Sequence, residues 1–492
     1  MTPTPARPIS SVADLAGREA LVLGLARSGV AAARFLSDAG AHVTVYDRRA
    51  AGELAEGVAA LEGRHVALEL GVAPERVKGL LAAADLIVTS PSVSSRFPTT
   101  DPWLRAALAA AEERGVEVVS EVGLFLALTR ARICGVTGTK GKTTTAALLG
   151  EILAGAGVPH VVGGNIGRPL VDEVERLGPD TWVVLELSEL QLPTIRRGAE
   201  LAVYTNIGAD HLDRHGTQAA YRAVKARLAE LSVEHGTIVL NRDDPGCLEL
   251  GERLGGAHAA PDIAWYGVDR PGLGLREAWL DEGWVTVAAE RLLPWGEVPL
   301  PGRHMLANVL AASLAATLLG VGGRAIADGI RRFRGVPHRL EPLGEVDGVR
   351  YVNDSMATIP AAAIAAVEAF GEPGQRRVVV IAGGQGKGLD LAPFADAVAE
   401  RCRAAVLLGE TADELEALLA GRVRTERADD MDDAVGRAAA LAVRGDAVVL
   451  APAAASFDRY PDYAARGDDF RRAVERLHAE RSAGSARGEG PR

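Results

Sequence analysis

Residues 131 to 145 read Ala-Arg-Ile-Cys-Gly-Val-Thr-Gly-Thr-Lys-Gly-Lys-Thr-Thr-Thr, and this stretch decides the fold. A short apolar strand ends near Gly135, a glycine-rich turn runs to Thr143, and a helix rich in Ala and Leu continues to Leu153. In such a turn the backbone N–H groups point at phosphate oxygens, with the positive end of the helix behind them. Lys142 adds a compact cation, and the hydroxyl of Thr143 is suited to Mg2+. The stretch therefore predicts a nucleotide-binding domain.

The strict phosphate-loop pattern G-x-x-x-x-G-K-[ST] is not met, because Val136 stands five residues before Gly141. The chain carries T-G-T-x-G-K-T from Thr137 to Thr143 instead, so an ordinary glycine-rich turn stays open as an alternative. At these residues the sequence resembles the Mur ligase family, which uses this variant. The resemblance implies that ATP is held by Gly138, Thr139, Lys140, Gly141, Lys142, Thr143 and Thr144.

Composition limits the class of protein. A chain of 492 residues exceeds one hydrophobic core, so two to four domains are expected, and 48% apolar residues fit a globular protein. A net charge of -11 without a basic stripe argues against nucleic-acid binding. The substrates are therefore expected to be small molecules, and we expect a monomer.

Three isolated cysteines, Cys134, Cys247 and Cys402, form no metal-ligand pattern and indicate a reducing compartment. The N-terminus lacks the plan of a signal peptide. Residues 305 to 323 are uncharged and nearly long enough to span a membrane, but Asn308 and several Ser, Thr and Gly residues dilute the run. A buried Ala-rich helix, no membrane insertion and a cytoplasmic location are predicted.

A second glycine motif lies near the N-terminus. The apolar strand Ala20 to Leu23 leads into Gly24-Leu-Ala-Arg-Ser-Gly29, a helix through Gly40, and a strand from residue 42 that ends on Asp47. This is a Rossmann-like half with G-x-A-x-x-G, which weakly suggests NAD; a tight turn that packs a helix on a sheet is the alternative. In glutamate-adding Mur ligases the matching loop holds the diphosphate of a UDP-sugar. That resemblance implies substrate contacts from Gly24, Arg27, Ser28, Asp47 and Arg48.

Polar residues follow the strands beside the predicted phosphate loop. The strand Trp182 to Glu186 ends in an acid, where a Mg2+ ligand is needed, although such an acid is often only solvated. Asn165, in the turn from Gly163 to Gly167, could donate to a phosphate or stabilise the turn. His211 stands in Asp-His-Leu-Asp-Arg-His after a third strand; an isolated His is more often a surface or core residue, but the string matches the family pattern. His215 receives no role.

The resemblance extends these assignments. In the family the lysine matching Lys225 is carbamylated, which turns a cation into an anion that supports Mg2+, whereas Lys225 alone reads as a solvated helix charge. Two Mg2+ ions are implied, with Thr143, Glu186, His211 and Lys225 as metal-site residues. Ser188 and Asn165 are implied substrate contacts, and Lys142, His211, Lys225 and Arg339 are the implied catalytic residues.

The C-terminal part carries further family motifs, with three departures. Asn308 fits an adenine contact, but Met305 replaces the usual asparagine. Met356 and Ile359 replace the usual Lys and Asn of the glutamate-adding enzymes, which leaves the identity of the added amino acid open. The implied nucleotide contacts there are Arg339 and Asp354, and the implied amino-acid contacts are Thr358, Lys387, Ser456, Phe457 and Tyr463.

The sequence therefore predicts an α/β protein of three domains: a Rossmann-like UDP-sugar domain over 1–127, a central P-loop ATPase-type domain with a parallel sheet over 128–335, and a Rossmann-like amino-acid-binding domain over 336–480. Residues 481–492 are predicted to be a disordered tail, and residues 255–297, with four Trp, a small antiparallel insertion.

The resemblance implies an ATP-dependent ligase that joins D-glutamate to UDP-N-acetylmuramoyl-L-alanine through an acyl phosphate, in peptidoglycan precursor synthesis. The alternatives left open are a ligase of the same fold for L-glutamate or another amino acid, a non-catalytic nucleotide-binding protein, and a dehydrogenase.

Overall fold

The computed structural model describes residues 9–97, 99–167, 169–208, 215, 217–232, 234, 236–256, 262–268, 276–299 and 303–487, with the backbone alone at 303–304 and 483–487. The chain divides into two compact units, Met1–Phe333 and Arg334–Arg492. The first unit contains two sheets and the second unit contains one. The first two predicted domains therefore share a unit.

The first sheet of unit 1 has five parallel strands in the order β3-β2-β1-β4-β5. Its central strands are apolar and buried on both faces, as parallel strands covered by helices require. The strand order reverses beside β1, which leaves a crevice at the carboxyl ends of the strands. The strands are β1 Glu19–Leu23, β2 His42–Asp47, β3 Val66–Leu70, β4 Leu86–Thr89 and β5 Glu117–Ser120, and the helices are α1 Arg27–Asp38, α2 Ala55–Ala59, α3 Pro74–Ala83, α4 Pro102–Glu113 and α5 Glu121–Leu128.

The second sheet of unit 1 has nine strands in the order β14-β13-β12-β11-β10-β9-β6-β8-β7. All neighbours from β7 to β12 pair in parallel, and the order reverses beside β6. The strands are β6 Arg132–Thr137, β7 His160–Gly164, β8 Trp182–Glu186, β9 Leu201–Tyr204, β10 Thr237–Asn241, β11 Asp262–Gly267, β12 Glu277–Asp281, β13 Trp284–Val287 and β14 Glu290–Pro294. The helices are α6 Lys142–Gly155, α7 Gln218–Ser232, α8 Pro245–Gly255, α9 Arg303–Leu318 and α10 Gly323–Arg332.

The tryptophan-containing segment differs from its prediction. The hairpins β12–β13 and β13–β14 are antiparallel, as expected. However, β12 pairs in parallel with β11, so these strands extend the central sheet and do not form a separate insertion. Trp279 is buried, whereas Trp265, Trp284 and Trp295 are half-buried. The Ala-rich run is the predicted buried helix: in α9, residues 309 to 312 are fully buried.

Unit 2 has a six-stranded sheet in the order β15-β16-β20-β17-β18-β19, in which only the β15–β16 pair is antiparallel. The order reverses beside β20, so the loops after β16, β17 and β20 meet at one edge. The strands are β15 Glu341–Val346, β16 Val349–Asn353, β17 Val378–Ala382, β18 Cys402–Leu407, β19 Arg424–Arg427 and β20 Ala447–Leu450, and the helices are α11 Pro360–Phe370, α12 Ala392–Arg401, α13 Ala412–Leu419, α14 Met431–Leu441 and α15 Tyr463–Arg487.

The end of the chain also differs from its prediction. Helix α15 continues to Arg487, past residue 481 where a disordered tail was expected. Ala and Arg in this stretch are good helix formers, which outweighs its Gly and Ser residues. Residues 488–492 lie outside the described part of the chain. Among the described helices none combines the length and the apolar character that crossing a membrane requires.

Candidate active site

The loop after β6 has the shape that the sequence predicts for phosphate binding. Gly138 and Gly141 both have positive φ, at 148° and 87°. A Cβ atom on Gly138 would lie 1.9 Å from Thr205 Oγ1, and one on Gly141 would lie 2.4 Å from Asn308 Oδ1. Only glycine fits at these two points, so the chain can turn tightly into the start of α6, whose first N–H groups have no partner within the helix.

Neighbouring strand ends hold this loop in place. The backbone N–H of Lys140 donates to Asn206 Oδ1 at 2.9 Å, and Asn206 Nδ2 donates back to the carbonyl of Lys140 at 2.9 Å. Thr205 Oγ1 also donates to that carbonyl at 2.5 Å. These contacts of Lys140 are made by its backbone, and they preorganise the loop before any ligand binds.

Two lysine side chains converge on one backbone carbonyl of the loop. Lys142 Nζ donates to the carbonyls of Gly138 and Thr139, both at 3.0 Å. Lys225 Nζ, on α7 and fully buried, donates to the same Gly138 carbonyl at 2.9 Å. Glu189 Oε2 lies 3.9 Å from Lys225 Nζ. This concentration of positive charge favours an anion beside the loop.

Glu186 ends β8, directly beside β6, and is 1% exposed. Its Oε1 accepts a 2.9 Å hydrogen bond from Asn165 Nδ2, while Oε2 is buried and has no hydrogen-bond partner among the described residues. A buried carboxylate oxygen left in this way is costly unless a cation completes it. The structure therefore brings Asn165 and Glu186 together, with Asn165 oriented on the carboxylate.

The residues present fit a divalent cation. A carboxylate oxygen at a strand end and the hydroxyl of Thr143 at the start of α6 are the oxygen donors that Mg2+ prefers. Within the described residues no group of three His, Cys, Asp or Glu side chains forms a metal cluster, so phosphate oxygens and water would have to complete such a site. The predicted ligand His211 lies outside the described residues.

The predicted adenine contact, Asn308, reaches the phosphate loop from α9. Its Oδ1 accepts from Thr145 Oγ1 at 3.4 Å, and its Nδ2 lies 3.7 Å from the sulfur of Met305. The departure at Met305 therefore leaves a weak sulfur acceptor beside the amide. Ser188, another predicted contact, is 7% exposed and donates to Gln191 Oε1 at 3.0 Å.

Tyr221 is a site residue that the sequence analysis missed. It is 1% exposed, and its hydroxyl lies 3.0 Å from Thr139 Oγ1 in the phosphate loop. Thr139 Oγ1 also accepts the N–H of Gly208 at 3.0 Å. The available signal was the position of Tyr221, one helical turn before Lys225 on the same face of α7.

A separate cavity of about 460 Å3 lies at the carboxyl edge of the first sheet. Its lining includes Gly24, Asp47, Arg48, Ser90, Ser92, Thr99 and Thr100. The predicted contacts Arg27, which is exposed, and Ser28, which is half-buried, begin α1 beside this cavity. The crevice beside β1 is where sheets of this class bind nucleotide-type ligands.

The carboxylate of Asp47 is hydrogen-bonded within the protein. Its Oδ2 accepts the N–H of Leu25 at 2.9 Å, and Arg49 donates to both carboxylate oxygens at 3.0 and 3.1 Å. Burial alone would raise the pKa of Asp47, but the hydrogen bonds from Arg49 and Leu25 hold it below its usual value. Asp47 is therefore an ionised anchor of the glycine loop, and the exposed Arg48 lies beside it in the cavity wall.

In unit 2 the segment after Arg334 is attached to the loop after β16. The N–H of Leu340 donates to Asp354 Oδ1 at 3.0 Å, and the N–H of Met356 donates to the carbonyl of His338 at 3.0 Å. Burial raises the pKa of Asp354 to about 6, against the Leu340 hydrogen bond and the charge of Arg339. The predicted pair Arg339 and Asp354 therefore lies together, with Arg339 exposed.

The predicted amino-acid contacts Thr358 and Lys387 also meet. Lys387 Nζ donates to Thr358 Oγ1 at 3.1 Å, and Lys387 lines a cavity of about 420 Å3 together with Glu414, Ala453 and Ala454. Burial, with Arg466 nearby, lowers the pKa of Lys387. The other predicted contacts are placed differently: Ser456 is 2% exposed, Phe457 is 55% exposed and Tyr463 begins α15.

Arg466 is a second residue whose role the sequence analysis missed. The residue is 3% exposed, and its guanidinium donates to Ser355 Oγ, Ser355 O, Ala454 O and Ala455 O at 2.9 to 3.1 Å. Burial lowers its pKa to about 10. One side chain therefore ties the loop after β16 to the loop after β20, the two loops that carry Thr358 and Ser456. The Arg-Gly pair near the C-terminus was the signal.

Family models match three consecutive segments of the chain. They are described as Mur ligase MurD-like, N-terminal domain (residues 18–120), Mur ligase middle domain (136–316) and Mur ligase, glutamate ligase domain (338–454).

Curated relatives match nearly the whole chain. The UDP-N-acetylmuramoylalanine--D-glutamate ligase of Solibacter usitatus is 40% identical, covering 94% of this chain and 99% of that protein. The protein of the same name from Pelotomaculum thermopropionicum is also 40% identical, covering 94% and 98%. Among solved structures, the UDP-N-acetylmuramate-alanine ligase of Thermotoga maritima superimposes with a TM-score of 0.51 at 18% identity, covering 94% of this chain and all of that one. This structural similarity supports the fold alone.

Proposed function

This chain belongs to the Mur ligase family, and from that membership we propose that it is an ATP-dependent, ADP-forming ligase that adds D-glutamate to UDP-N-acetylmuramoyl-L-alanine in peptidoglycan precursor synthesis. The observation that carries the proposal is the preorganised phosphate loop after β6, with the uncompensated Glu186 oxygen at the next strand end. The choice of UDP-sugar substrate and amino acid follows the relatives at 40% identity, because their names specify both.

The proposed chemistry is activation of a carboxylate. The alanyl carboxylate takes the γ-phosphoryl group of ATP to give an acyl phosphate, the amine of glutamate attacks the acyl carbon, and the products are an amide, ADP and phosphate. Bound Mg2+ screens the repulsion between the anions. Lys142 and Arg339 would stabilise the charge on the transferring group, and Lys387 with Thr358 would orient the amino acid.

Carbamylation of Lys225 and a second Mg2+ are part of the proposal. Two lysine side chains donate to the one carbonyl of Gly138, which places like charges close together. Capture of CO2 by the Lys225 amine, with loss of a proton, would replace one of these cations with an anion suited to a metal. Glu189, 3.9 Å away, would then have to move or be bridged by a cation.

A second candidate is a ligase that uses L-glutamate. It is favoured by Met356 and Ile359, which stand on either side of Ala357 and Thr358 in the loop after β16. Ile359 is 43% exposed next to the Lys387–Thr358 pair, so an apolar surface lies where an amide is usual. Such a change could alter which enantiomer fits.

The test is phosphate release from ATP with Mg2+ and UDP-N-acetylmuramoyl-L-alanine, with D-glutamate and L-glutamate supplied in parallel. Release with D-glutamate alone supports the first proposal. Release with L-glutamate alone selects the second candidate and makes Met356 and Ile359 the first positions to revert. Release with neither overturns both. The domain boundaries at 127 and 335, the monomeric state and the cytoplasmic location stay predictions.

A further inference from the structure

Three aromatic rings connect the first-sheet cavity to the phosphate loop inside unit 1. Phe97 lies in the loop between β4 and α4, His215 lies between β9 and α7, and Tyr221 lies on α7. The ring centroids of Phe97 and His215 are 5.8 Å apart at an interplanar angle of 89°, and those of His215 and Tyr221 are 5.3 Å apart at 76°. Both contacts are edge-to-face, the arrangement that the charge distribution of aromatic rings favours.

At the cavity end, Phe97 anchors the wall. Its side chain is 2% exposed, and its carbonyl accepts the N–H of Thr100 at 3.0 Å. Thr100 Oγ1 accepts the N–H of Ser94 at 3.0 Å, which closes the loop on itself. Thr99 and Thr100 line the cavity. The backbone of Phe97 therefore belongs to the same hydrogen-bonded turn as the lining residue Thr100.

At the other end, Tyr221 touches the phosphate loop directly. Its hydroxyl lies 3.0 Å from Thr139 Oγ1, and Lys225 Nζ lies 5.6 Å from the centroid of its ring. Lys225 in turn donates to Gly138 at 2.9 Å. A rotation of the Tyr221 ring would therefore alter two contacts of the phosphate loop.

We propose that His215 is a positioning residue that couples the two substrate sites, so that occupation of the first-sheet cavity by a UDP-sugar strengthens binding of ATP at the phosphate loop. Close-packed rings shift between discrete arrangements and do not deform gradually, so a wall that moves onto its ligand displaces the ring behind it. Coupling of this kind is reciprocal. The inference rests on the proposed function, because it takes the UDP-sugar and ATP as the two ligands.

The test is isothermal titration calorimetry on the whole protein. The Kd of adenylyl imidodiphosphate with Mg2+ is measured alone and with saturating UDP-N-acetylmuramoyl-L-alanine, and the ratio of the two values is the coupling. In the unaltered protein we expect the second ligand to tighten the first by about 5-fold or more. His215→Leu, which keeps apolar volume but removes the ring, should reduce this ratio by about threefold or more. His215→Phe keeps the ring edges and should retain it.

Two further variants separate coupling from a structural role. Phe97→Leu should lower the ratio as His215→Leu does, and the double variant should lower it no further. The control is Phe125→Leu, the same change at a buried ring of α5, which should leave the ratio unchanged even where it lowers thermal stability. A ratio of one in the unaltered protein, or an unchanged ratio in both His215→Leu and Phe97→Leu, overturns the inference. If neither ligand binds the unaltered protein, the proposed function fails as well.

Discussion

At the scale of single residues, Glu186 has an uneven environment. One carboxylate oxygen accepts from Asn165, and the other is buried with no hydrogen-bond partner in the described part of the chain. An uncompensated buried charge destabilises a protein, so its retention implies a cation in the working state. Glu186 therefore offers a way to test metal binding separately from stability.

We predict that Glu186→Gln raises the Mg2+ concentration needed for half-maximal phosphate release by about tenfold or more, because the charged ligand is lost. In the absence of Mg2+, the free energy of unfolding of Glu186→Gln should equal or exceed that of the unaltered protein. The amide removes a buried charge and keeps the oxygen that Asn165 contacts. The control is Glu173→Gln, at a second buried acid of unit 1, which is 7% exposed. An unchanged Mg2+ requirement in Glu186→Gln would exclude it as a ligand.

The two lysines of the phosphate loop make contrasting predictions. Lys142→Ala should lower kcat/KM by about 10²–10³, because its ammonium adjoins the position of the transferring charge. Lys140→Ala should lower kcat/KM by less than about tenfold, because the contacts of Lys140 to Asn206 are made by its backbone, which the substitution keeps. Steady-state phosphate release with varied ATP measures both. Equal losses in the two variants would show that net charge, and not the position of Lys142, matters.

The residues that the sequence analysis missed share a physical cause. The contact between Tyr221 and Thr139 joins positions 82 apart in sequence, and that between Arg466 and Ser355 joins positions 111 apart. A local pattern identifies a loop or a strand end, as it does for Glu186 at the end of β8. It does not identify which distant side chain reaches that point, because this depends on the packing of whole helices against the sheet.

At the scale of elements, helix α5 begins with a buried acid. Glu121 Oε1 accepts the N–H of Val171 at 2.8 Å, and burial raises the pKa of Glu121 from 4.5 to about 7. Asp172 raises it further and Arg27 opposes the shift. Between pH 4.5 and 7 the folded state therefore binds more protons than the unfolded state, so stability falls as pH rises through this window and levels off above it.

We predict that Glu121→Gln unfolds at a higher urea concentration than the unaltered protein at pH 8. The free energy of unfolding should be higher by about 3 kcal/mol, and this difference should shrink towards pH 4.5. The amide keeps an acceptor for Val171 and cannot ionise. Tryptophan fluorescence suits the measurement, because all six tryptophans lie at or before residue 295, within unit 1. Glu113→Gln, on the exposed face of α4, should show no such pH dependence. A gap that stays constant with pH would contradict the assignment to Glu121.

Arg466 makes the corresponding prediction for unit 2. Arg466→Lys keeps the charge but cannot reach four acceptors with one ammonium, so the loops after β16 and β20 lose their shared support. We expect a loss of about 2–3 kcal/mol in stability of unit 2 and a higher KM for glutamate with a smaller change in the KM for ATP. Arg472→Lys, at an exposed position on α15, is the matched control. Unchanged KM values for glutamate would assign Arg466 to stability alone.

Element type was easier to predict than element partnership. Strand β2 and helix α9 follow from apolar runs between turn signals. The strands β12 to β14 carry the same local signals as a free-standing hairpin, and only the parallel pairing of β12 with β11 makes them part of the central sheet. That pairing is set by how the chain crosses over between strands, which periodicity does not encode.

At the scale of the whole molecule, the predicted ligand contacts are divided between the two compact units. The first-sheet cavity and the phosphate loop lie within Met1–Phe333, whereas Lys387 and Thr358 lie within Arg334–Arg492. Unit 1 has two sheets and unit 2 has one, and each unit has its own hydrophobic core. Units with separate cores are expected to unfold in separable transitions.

We therefore predict that differential scanning calorimetry resolves two transitions and that ligands shift them selectively. UDP-N-acetylmuramoyl-L-alanine at about 100 times its Kd adds about 2.7 kcal/mol to the unit it binds, so it should raise the transition that tryptophan fluorescence follows and leave the other unchanged. If D-glutamate alone shifts a transition, it should be the one that fluorescence does not detect, because Lys387 and Thr358 lie in the unit without tryptophan. A single transition, or a D-glutamate shift in the fluorescence-detected one, would show that the units do not unfold independently or that the amino acid binds in unit 1.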